Sequence, residues 1–322
     1  MKIVILIPIF DDWESAVMLC DLINVTFDRE SSAYDLSILF VDDGSYLADE
    51  ALHKKHRWNA IREIYVLRLR RNVGHQRAIA VGLAYVEHHV LCDAVVVMDG
   101  DGEDLPQSIP ALLTCATERP SGQVAFAERG RRLEGLAFRV LYVAYRGAHR
   151  LLTGRGIRFG NFSVVPFSFI RRLTAMSELW GHYAASVVNA RIPYGTVRVD
   201  RGRRLSGTSK MNLESLIQHG LAAVAVYQTV GVRSLIGGVV LSGLLFVLSL
   251  VIIFLRFATT LAIPGWASIM LGIFLIMIGL ILTSSLLYVF TSLSFRHLMG
   301  MLPTRDYVYF VDRCDRVYPN DQ

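Results

Sequence analysis

The chain has 322 residues, 53% of them hydrophobic, a net charge of +5 and a mean hydropathy of +0.40, values that are high for a soluble protein and point to membrane segments. Residues 1–128 carry 11 Lys+Arg against 20 Asp+Glu, whereas residues 129–210 carry 16 against 3. An acidic half that suits a metal-bridged nucleotide therefore precedes a basic one that suits anionic lipid or a lipid phosphate. The four cysteines (Cys20, Cys92, Cys115, Cys314) are scattered, without Cys-x-x-Cys spacing, and indicate neither a disulfide framework nor a zinc site.

Ile3 to Ile9 reads as a first strand rather than a signal sequence, because it is short and runs straight into Asp11 and Asp12; the large N-terminal portion is then expected in the cytoplasm. A polar loop leads into a helix through Asn24. Leu36–Val41 is a second strand ending in Asp42-Asp43-Gly44-Ser45. Ile64–Leu69 is a third, ending in Arg71-Asn72-Val73-Gly74-His75-Gln76-Arg77 before an apolar-periodic helix from Ala78 to Val86. Asp93–Met98 is a fourth, with the buried-strand run Ala94-Val95-Val96-Val97, and it delivers Asp99-Gly100-Asp101-Gly102-Glu103-Asp104. Strands alternating with helices at this spacing predict βαβ units and a parallel sheet with its polar strand ends along one edge, where open α/β sheets bind ligands. Four carboxylates within six residues repel one another unless a cation sits among them. Hard oxygen ligands at alternating positions suit Mg²⁺ or Mn²⁺ carrying a substrate diphosphate.

Together, Leu6–Asp12, Val41–Ser45, Arg71–Gln76, Met98–Asp104 and Arg204-Leu205-Ser206-Gly207-Thr208-Ser209-Lys210 resemble the successive motifs of family 2 glycosyltransferases. The branch they resemble is the polyprenyl-phosphate one, similar to dolichyl-phosphate mannose synthase and bactoprenol glucosyltransferases, and the resemblance covers about residues 1–230. It implies a GT-A fold (α/β, Rossmann-like, mostly parallel sheet), a UDP- or GDP-sugar donor, a divalent metal, a polyprenyl-phosphate acceptor and inversion at the anomeric carbon. Carried across by motif, Pro8, Phe10 and Asp12 would line the nucleoside pocket, with Asp43 on the base or ribose and Gly74 and Arg77 also on the donor side. Asp99 and Asp101 would bind metal and diphosphate, joined by Glu103. Arg204, Ser209 and Lys210, with Arg129 and Arg131, would meet the acceptor phosphate, and Asp99, Asp101, Arg204 and Lys210 would carry the catalysis. Several positions depart from the family pattern: Asp12 stands where a longer Glu is usual, Glu103 replaces a usual Gln, and Asn161-Phe162-Ser163 stands where Asp-Phe-Arg is common.

From Arg129 to Arg172 ten arginines meet one acid, and apolar residues recur at helical spacing, which predicts a basic amphipathic helix over about 132–153 lying on the membrane interface. A second such helix is expected over 211–230. Leu235–Leu255 and Trp266–Phe290 are uncharged runs of 21 and 25 residues, each long enough as a helix to cross a hydrocarbon core. The expected organisation is a catalytic domain over 1–230, a two-helix anchor over 235–290 and a tail over 291–322 that carries no readable motif. Arg233 on one flank and Arg296, His297 and Arg305 on the other outweigh Arg256 in the connecting loop, so both ends read as cytoplasmic, at an inner membrane. With two spans, nucleic acid is not the expected partner of the basic surface; oligomeric state and sugar stay open. The expected activity is transfer of one sugar from a nucleotide sugar to polyprenyl phosphate. Its rivals are a processive or hydroxyl-acceptor polysaccharide synthase, whose Gln-x-x-Arg-Trp motif this chain lacks, and a non-catalytic adaptor, against which the intact carboxylates speak.

Overall fold

A computed structural model describes residues 1–28, 33–47, 49–54, 56–129, 159–206, 229–258, 265–297 and 300–319. These fall into two compact units, one holding the sheet together with the residues after 300, the other holding two long apolar helices.

The sheet has eight strands among the described residues: β1 (Lys2–Ile9), β2 (Asp35–Asp42), β3 (Ile61–Leu69), β4 (Ala94–Val97), β5 (Val124–Arg129), β6 (Ser163–Pro166), β7 (Tyr194–Val199) and β8 (Val311–Tyr318), in the order β7-β5-β6-β4-β1-β2-β3-β8. The β3-β2-β1-β4 block is parallel, as the near-continuous apolar runs require of strands covered on both faces. β6 lies antiparallel against β4 and β5, β7 is parallel to β5, and β8 is antiparallel to β3. The chain steps from β1 to β2 to β3, then crosses to the far side of β1 to form β4. The switch point, where such sheets open a crevice, therefore lies between the carboxyl ends of β1 and β4. Register aligns Ile9 with Asp42 and Asp42 with Arg68, so the strand ends meet at one edge.

Alternation along β1 sorts the core into two layers. Ile3, Ile5, Ile7 and Ile9 pack with α1 (Trp13–Phe27) and α3 (Ile109–Thr117), while Val4 and Leu6 pack with α2 (His75–His89), α4 (Phe167–Thr174) and α5 (Tyr183–Asn189). On α1, Trp13, Ala16, Leu19, Cys20, Ile23 and Phe27 repeat at the three-to-four spacing that keeps one helical face on the sheet. Gly82 on α2 lets that helix lie close: a Cβ there would fall 2.7 Å from Leu6 and Val41 side chains.

The two long helices are α6 (Thr229–Ala258) and α7 (Trp266–His297). Each contains a stretch long and apolar enough to cross a membrane, Ile236–Ala258 and Ser268–Tyr288, with mean hydropathies of 2.9 and 2.5. Leu244, Phe254 and Leu286 are among the many large apolar side chains these helices leave exposed, which a soluble core helix would bury. Within the pair, Gly238 allows close approach, since a Cβ on it would sit 2.9 Å from Ser285 Oγ. The basic helices expected over 132–153 and 211–230 lie outside the described residues.

The tail was expected as a segment of its own after the anchor; it is built into the sheet-bearing unit instead. A short helix α8 (Pro303–Asp306) and a turn at Tyr307–Tyr309 precede β8. Tyr307 is buried in one core layer and Val317 in the other. The Tyr318 hydroxyl accepts the Trp58 N–H and donates to the Trp58 carbonyl, both at 3.1 Å.

Candidate active site

The acidic turn after β4 sorts its carboxylates by the job each does. Asp104, 2% exposed, turns inward and accepts the Asp99 N–H at 3.0 Å. Asp101 Oδ1 accepts the Glu103 N–H at 3.0 Å, and Gly102 takes a φ of +80°, a conformation that favours glycine. The Glu103 carboxylate is bonded to the Arg201 guanidinium. Asp99 and Asp101 follow the carboxyl end of β4 beside the switch point, both partly exposed.

A second loop, residues 200–205 after β7, is laced onto this turn. The Gly202 N–H donates to the Glu103 carbonyl and the Leu205 N–H to the Asp101 carbonyl, each at 2.9 Å. Contact is so close that a Cβ on Gly202 would fall 2.5 Å from the Gly102 carbonyl oxygen. Arg204 is thereby set between two carboxylates, 3.7 Å from Asp12 Oδ2 and 3.8 Å from Asp101 Oδ2.

The remaining wall comes from the β1, β2 and β3 ends. Pro8 is buried in β1, and Phe10 lies half-buried with its ring edge-on to Tyr46, centroids 6.2 Å apart. Asp11, at φ +51°, accepts the Tyr46 and Leu47 N–H groups at 2.8 and 2.9 Å, and its own N–H donates to Ser45 Oγ at 2.9 Å. Asp12 Oδ1 accepts the Ser15 hydroxyl at 2.6 Å. Asp43, buried, accepts the N–H groups of Val73 and Gly74 at 2.7 and 2.9 Å, which pins the β3–α2 loop. Its burial pushes the carboxyl above the usual range although those two hydrogen bonds oppose the shift. Gly74, at φ +92°, starts α2, and Arg77 is exposed on its first turn.

His75 meets this wall beside the acidic turn, its Nε2 3.2 Å from Asp99 Oδ1 and 3.0 Å from Asn161 Nδ2. Burial works against the charged ring, but the Asp99 hydrogen bond and the charges of Asp99, Asp43 and Asp101 prevail and raise its pKa above the ordinary 6.5. One nitrogen cannot donate to Asp99 and accept from Asn161 at once, so the two contacts alternate with the ring proton. Asn161 is held in turn by Gln76, whose Nε2 donates to it at 3.1 Å while its Oε1 accepts the Tyr183 N–H at 2.7 Å.

The structure thus brings Asp12, Asp99, Asp101 and Arg204 into one crevice, with Pro8, Phe10, Asp43 and Gly74 behind or beside it. Glu103 is adjacent but engaged by Arg201. Arg129 ends β5, and Arg131, Ser209 and Lys210 lie outside the described residues. Arg201, His75 and Asn161 were not singled out as site residues. In the sequence His75 lies within the Arg71–Gln76 motif and Asn161 within the triplet that departs from the family pattern, while Arg201 left only its charge, three places before Arg204.

Residues 5–174, more than half of the chain, match the family described as Glycosyl transferase family 2. The chain belongs to that family. It is a glycosyltransferase, and its mostly parallel sheet is that of a GT-A-like fold. Glycosyltransferase YkcC of Bacillus subtilis (strain 168), itself uncharacterized, is 24% identical over 289 residues, covering 86% of each chain. The undecaprenyl-phosphate 4-deoxy-4-formamido-L-arabinose transferase of Salmonella choleraesuis (strain SC-B67) is 31% identical over 117 residues, which is 36% of this chain and 34% of that one. Among solved structures, glucosyl-3-phosphoglycerate synthase from Mycobacterium tuberculosis superposes with a TM-score of 0.49 at 16% identity, covering 72% of this chain and 79% of that one. The Pyrobaculum calidifontis mannosyltransferase PcManGT, solved with GDP-Man and Mn²⁺, superposes with a TM-score of 0.42 at 12% identity over 92% of this chain and 87% of that one.

Proposed function

We propose that this glycosyltransferase moves a single sugar from a nucleotide sugar to a polyprenyl phosphate at the cytoplasmic face of a membrane. The observation that carries the reading is the meeting of Asp99, Asp101 and Arg204 at the switch point of a sheet whose chain also contains two membrane-length helices. The Salmonella relative, named for an undecaprenyl-phosphate acceptor, supports the acceptor class.

The residues present fit a divalent cation. Among the described residues no three His, Cys, Asp or Glu side chains are gathered into a ready cluster. Mg²⁺, however, is usually held by only one or two carboxylates, with substrate phosphates and water completing its shell. Asp99 and Asp101 would be those ligands; Glu103, expected as a third, has its charge met by Arg201. Arg204, a cation drawn between Asp12 and Asp101, shows that the crevice favours positive charge. When bound, the metal supplies charge neutralisation for the departing diphosphate.

The chain's own groups do the rest. Asp11 and Asp43 hold the two loops that would receive the nucleoside. Arg204 can swing from its carboxylate partners to phosphate oxygens of either substrate, a charge-assisted exchange that needs no proton. An acceptor phosphate is ionised near neutral pH, so its oxygen can attack the anomeric carbon without a dedicated base, and a single displacement inverts that carbon. Lys210 and Ser209 are proposed to meet the same acceptor phosphate.

Radiolabelled UDP- and GDP-sugars should be incubated with the purified full chain, undecaprenyl phosphate and Mg²⁺ or Mn²⁺, reading lipid-extractable label. Label appearing in lipid with one donor supports the proposal. Label appearing only in free sugar, or only in a polymer, refutes it.

A further inference from the structure

Arg68, on β3, divides its guanidinium among three carboxylates: Nη1 lies 3.4 Å from Asp42 Oδ2, Nη2 2.7 Å from Asp49 Oδ2, and Nε 2.8 Å from Asp315 Oδ2. Asp42 and Asp49 are 4% and 6% exposed and stand at the two ends of the loop after β2. Charges at that depth need a cation, and here a single one joins both. Arg68 therefore staples the base of the loop. From the other side Asp11 holds its tip through the Tyr46 and Leu47 N–H groups, and Asp42 Oδ1 accepts the Ser45 N–H at 2.9 Å. The same loop carries Asp43, which pins the start of α2.

The third carboxylate comes from β8, which follows both membrane-length helices in the chain. A guanidinium is planar, with its donors in a fixed fork, so two anchored nitrogens leave it free to tilt and the third sets its plane. Burial pulls the Asp315 carboxyl upward, but hydrogen bonds from Arg68 and Arg313 hold it below the usual carboxylate range, so the residue is charged at neutral pH.

We propose that Asp315 is a positioning residue for the nucleotide half of the donor, acting through Arg68 to hold the Asp42–Asp49 loop in its receptive form. This rests on the nucleotide-sugar reading above. It makes the donor site depend on a residue beyond the membrane helices and outside the family match, which ends at residue 174.

The test uses the full chain in detergent with UDP and GDP as probes, comparing Asp315→Asn, Asp315→Glu and, as a control on the same strand, Asp312→Asn. The Asp315 side chain is 37% exposed, so its substitution is compatible with folding. In Asp315→Asn the dissociation constant for the nucleotide that the wild type binds should rise about five- to twentyfold, within the range of coupling between residues in one ion-pair network. Asp315→Glu should recover most of the affinity and Asp312→Asn should keep it. Hydrogen exchange at the Ser45, Tyr46 and Leu47 amides should quicken in Asp315→Asn alone. A strand that merely stabilises the sheet predicts a lower melting temperature and faster exchange over 311–318, with nucleotide affinity within about twofold of wild type and those three amides still slow; that result overturns the proposal. Wild-type protein that binds neither nucleotide overturns the nucleotide-donor reading and this proposal with it, an outcome distinct from wild-type binding that survives in Asp315→Asn.

Discussion

Asp101 and Asp104 sit in one turn and do opposite work. Asp104 is an internal acceptor for the Asp99 amide, whereas Asp101 presents a carboxylate oxygen to the crevice and to Arg204. We expect Asp101→Asn to lower turnover by about a hundredfold or more, the scale of losing one preorganised electrostatic group, with the melting temperature held. Asp104→Ala should instead cost about 1–3 kcal/mol of stability, because the part-buried Asp99 N–H loses its partner; thermal unfolding in detergent measures it. Inverted results, with a stable but inactive Asp104→Ala and an unfolded Asp101→Asn, would reverse the assignment. The sequence announces the cluster, since adjacent like charges call for a cation. It does not announce which acid is buried, because that is set within the folded turn by the hydrogen bond from the Asp99 N–H to Asp104.

Among the elements, the 200–205 loop and the acidic turn work as one piece because two glycines let their backbones touch. Gly202→Ala would place a methyl 2.5 Å from the Gly102 carbonyl oxygen and 2.7 Å from Leu105 Cδ2. Overpacking of this kind costs about 1–3 kcal/mol, and relief by outward movement would carry Arg204 off Asp101. We expect a lower melting temperature and lower transfer activity together in this variant. Gly237→Ala, with nothing within 4 Å of the new atom, should leave both unchanged. The parallel strands and both apolar helices were legible from β-branched runs and from length. β8 was not: charges at Asp312, Arg313, Asp315 and Arg316 mask its alternation, as is common for a strand that ends a sheet and must resist further pairing. Pairing between Leu205 and Asp101 was equally hidden, being a backbone contact between segments a hundred residues apart.

At the scale of the whole molecule, pairing of β8 with β3 bears on the topology we propose, in which both apolar helices span the membrane. Residues before α6 and residues after α7 build one sheet-bearing unit, and under that proposal both flanks lie on the same side. A cysteine placed in the 259–264 connection should react with an impermeant thiol reagent added to intact cells. One placed at Pro319 should react only after lysis; labelling of both, or of Pro319 alone, would refute this topology. The resemblance over about residues 1–230 made the catalytic fold legible, but it could not show that the far end is part of it, because a strand contributed from beyond two long apolar helices leaves no periodic trace near its partner.

That arrangement also sets an order of manufacture. During synthesis β3 emerges long before β8, and until residues 311–318 follow the hairpin its outer row of amide and carbonyl groups has no strand to pair with. Over the same interval Arg68 lacks one of its three partners. Among the described residues β8 is the last strand to be translated and the one that covers the outer edge of β3, so a chain whose translation stops before residue 311 is left with that edge open.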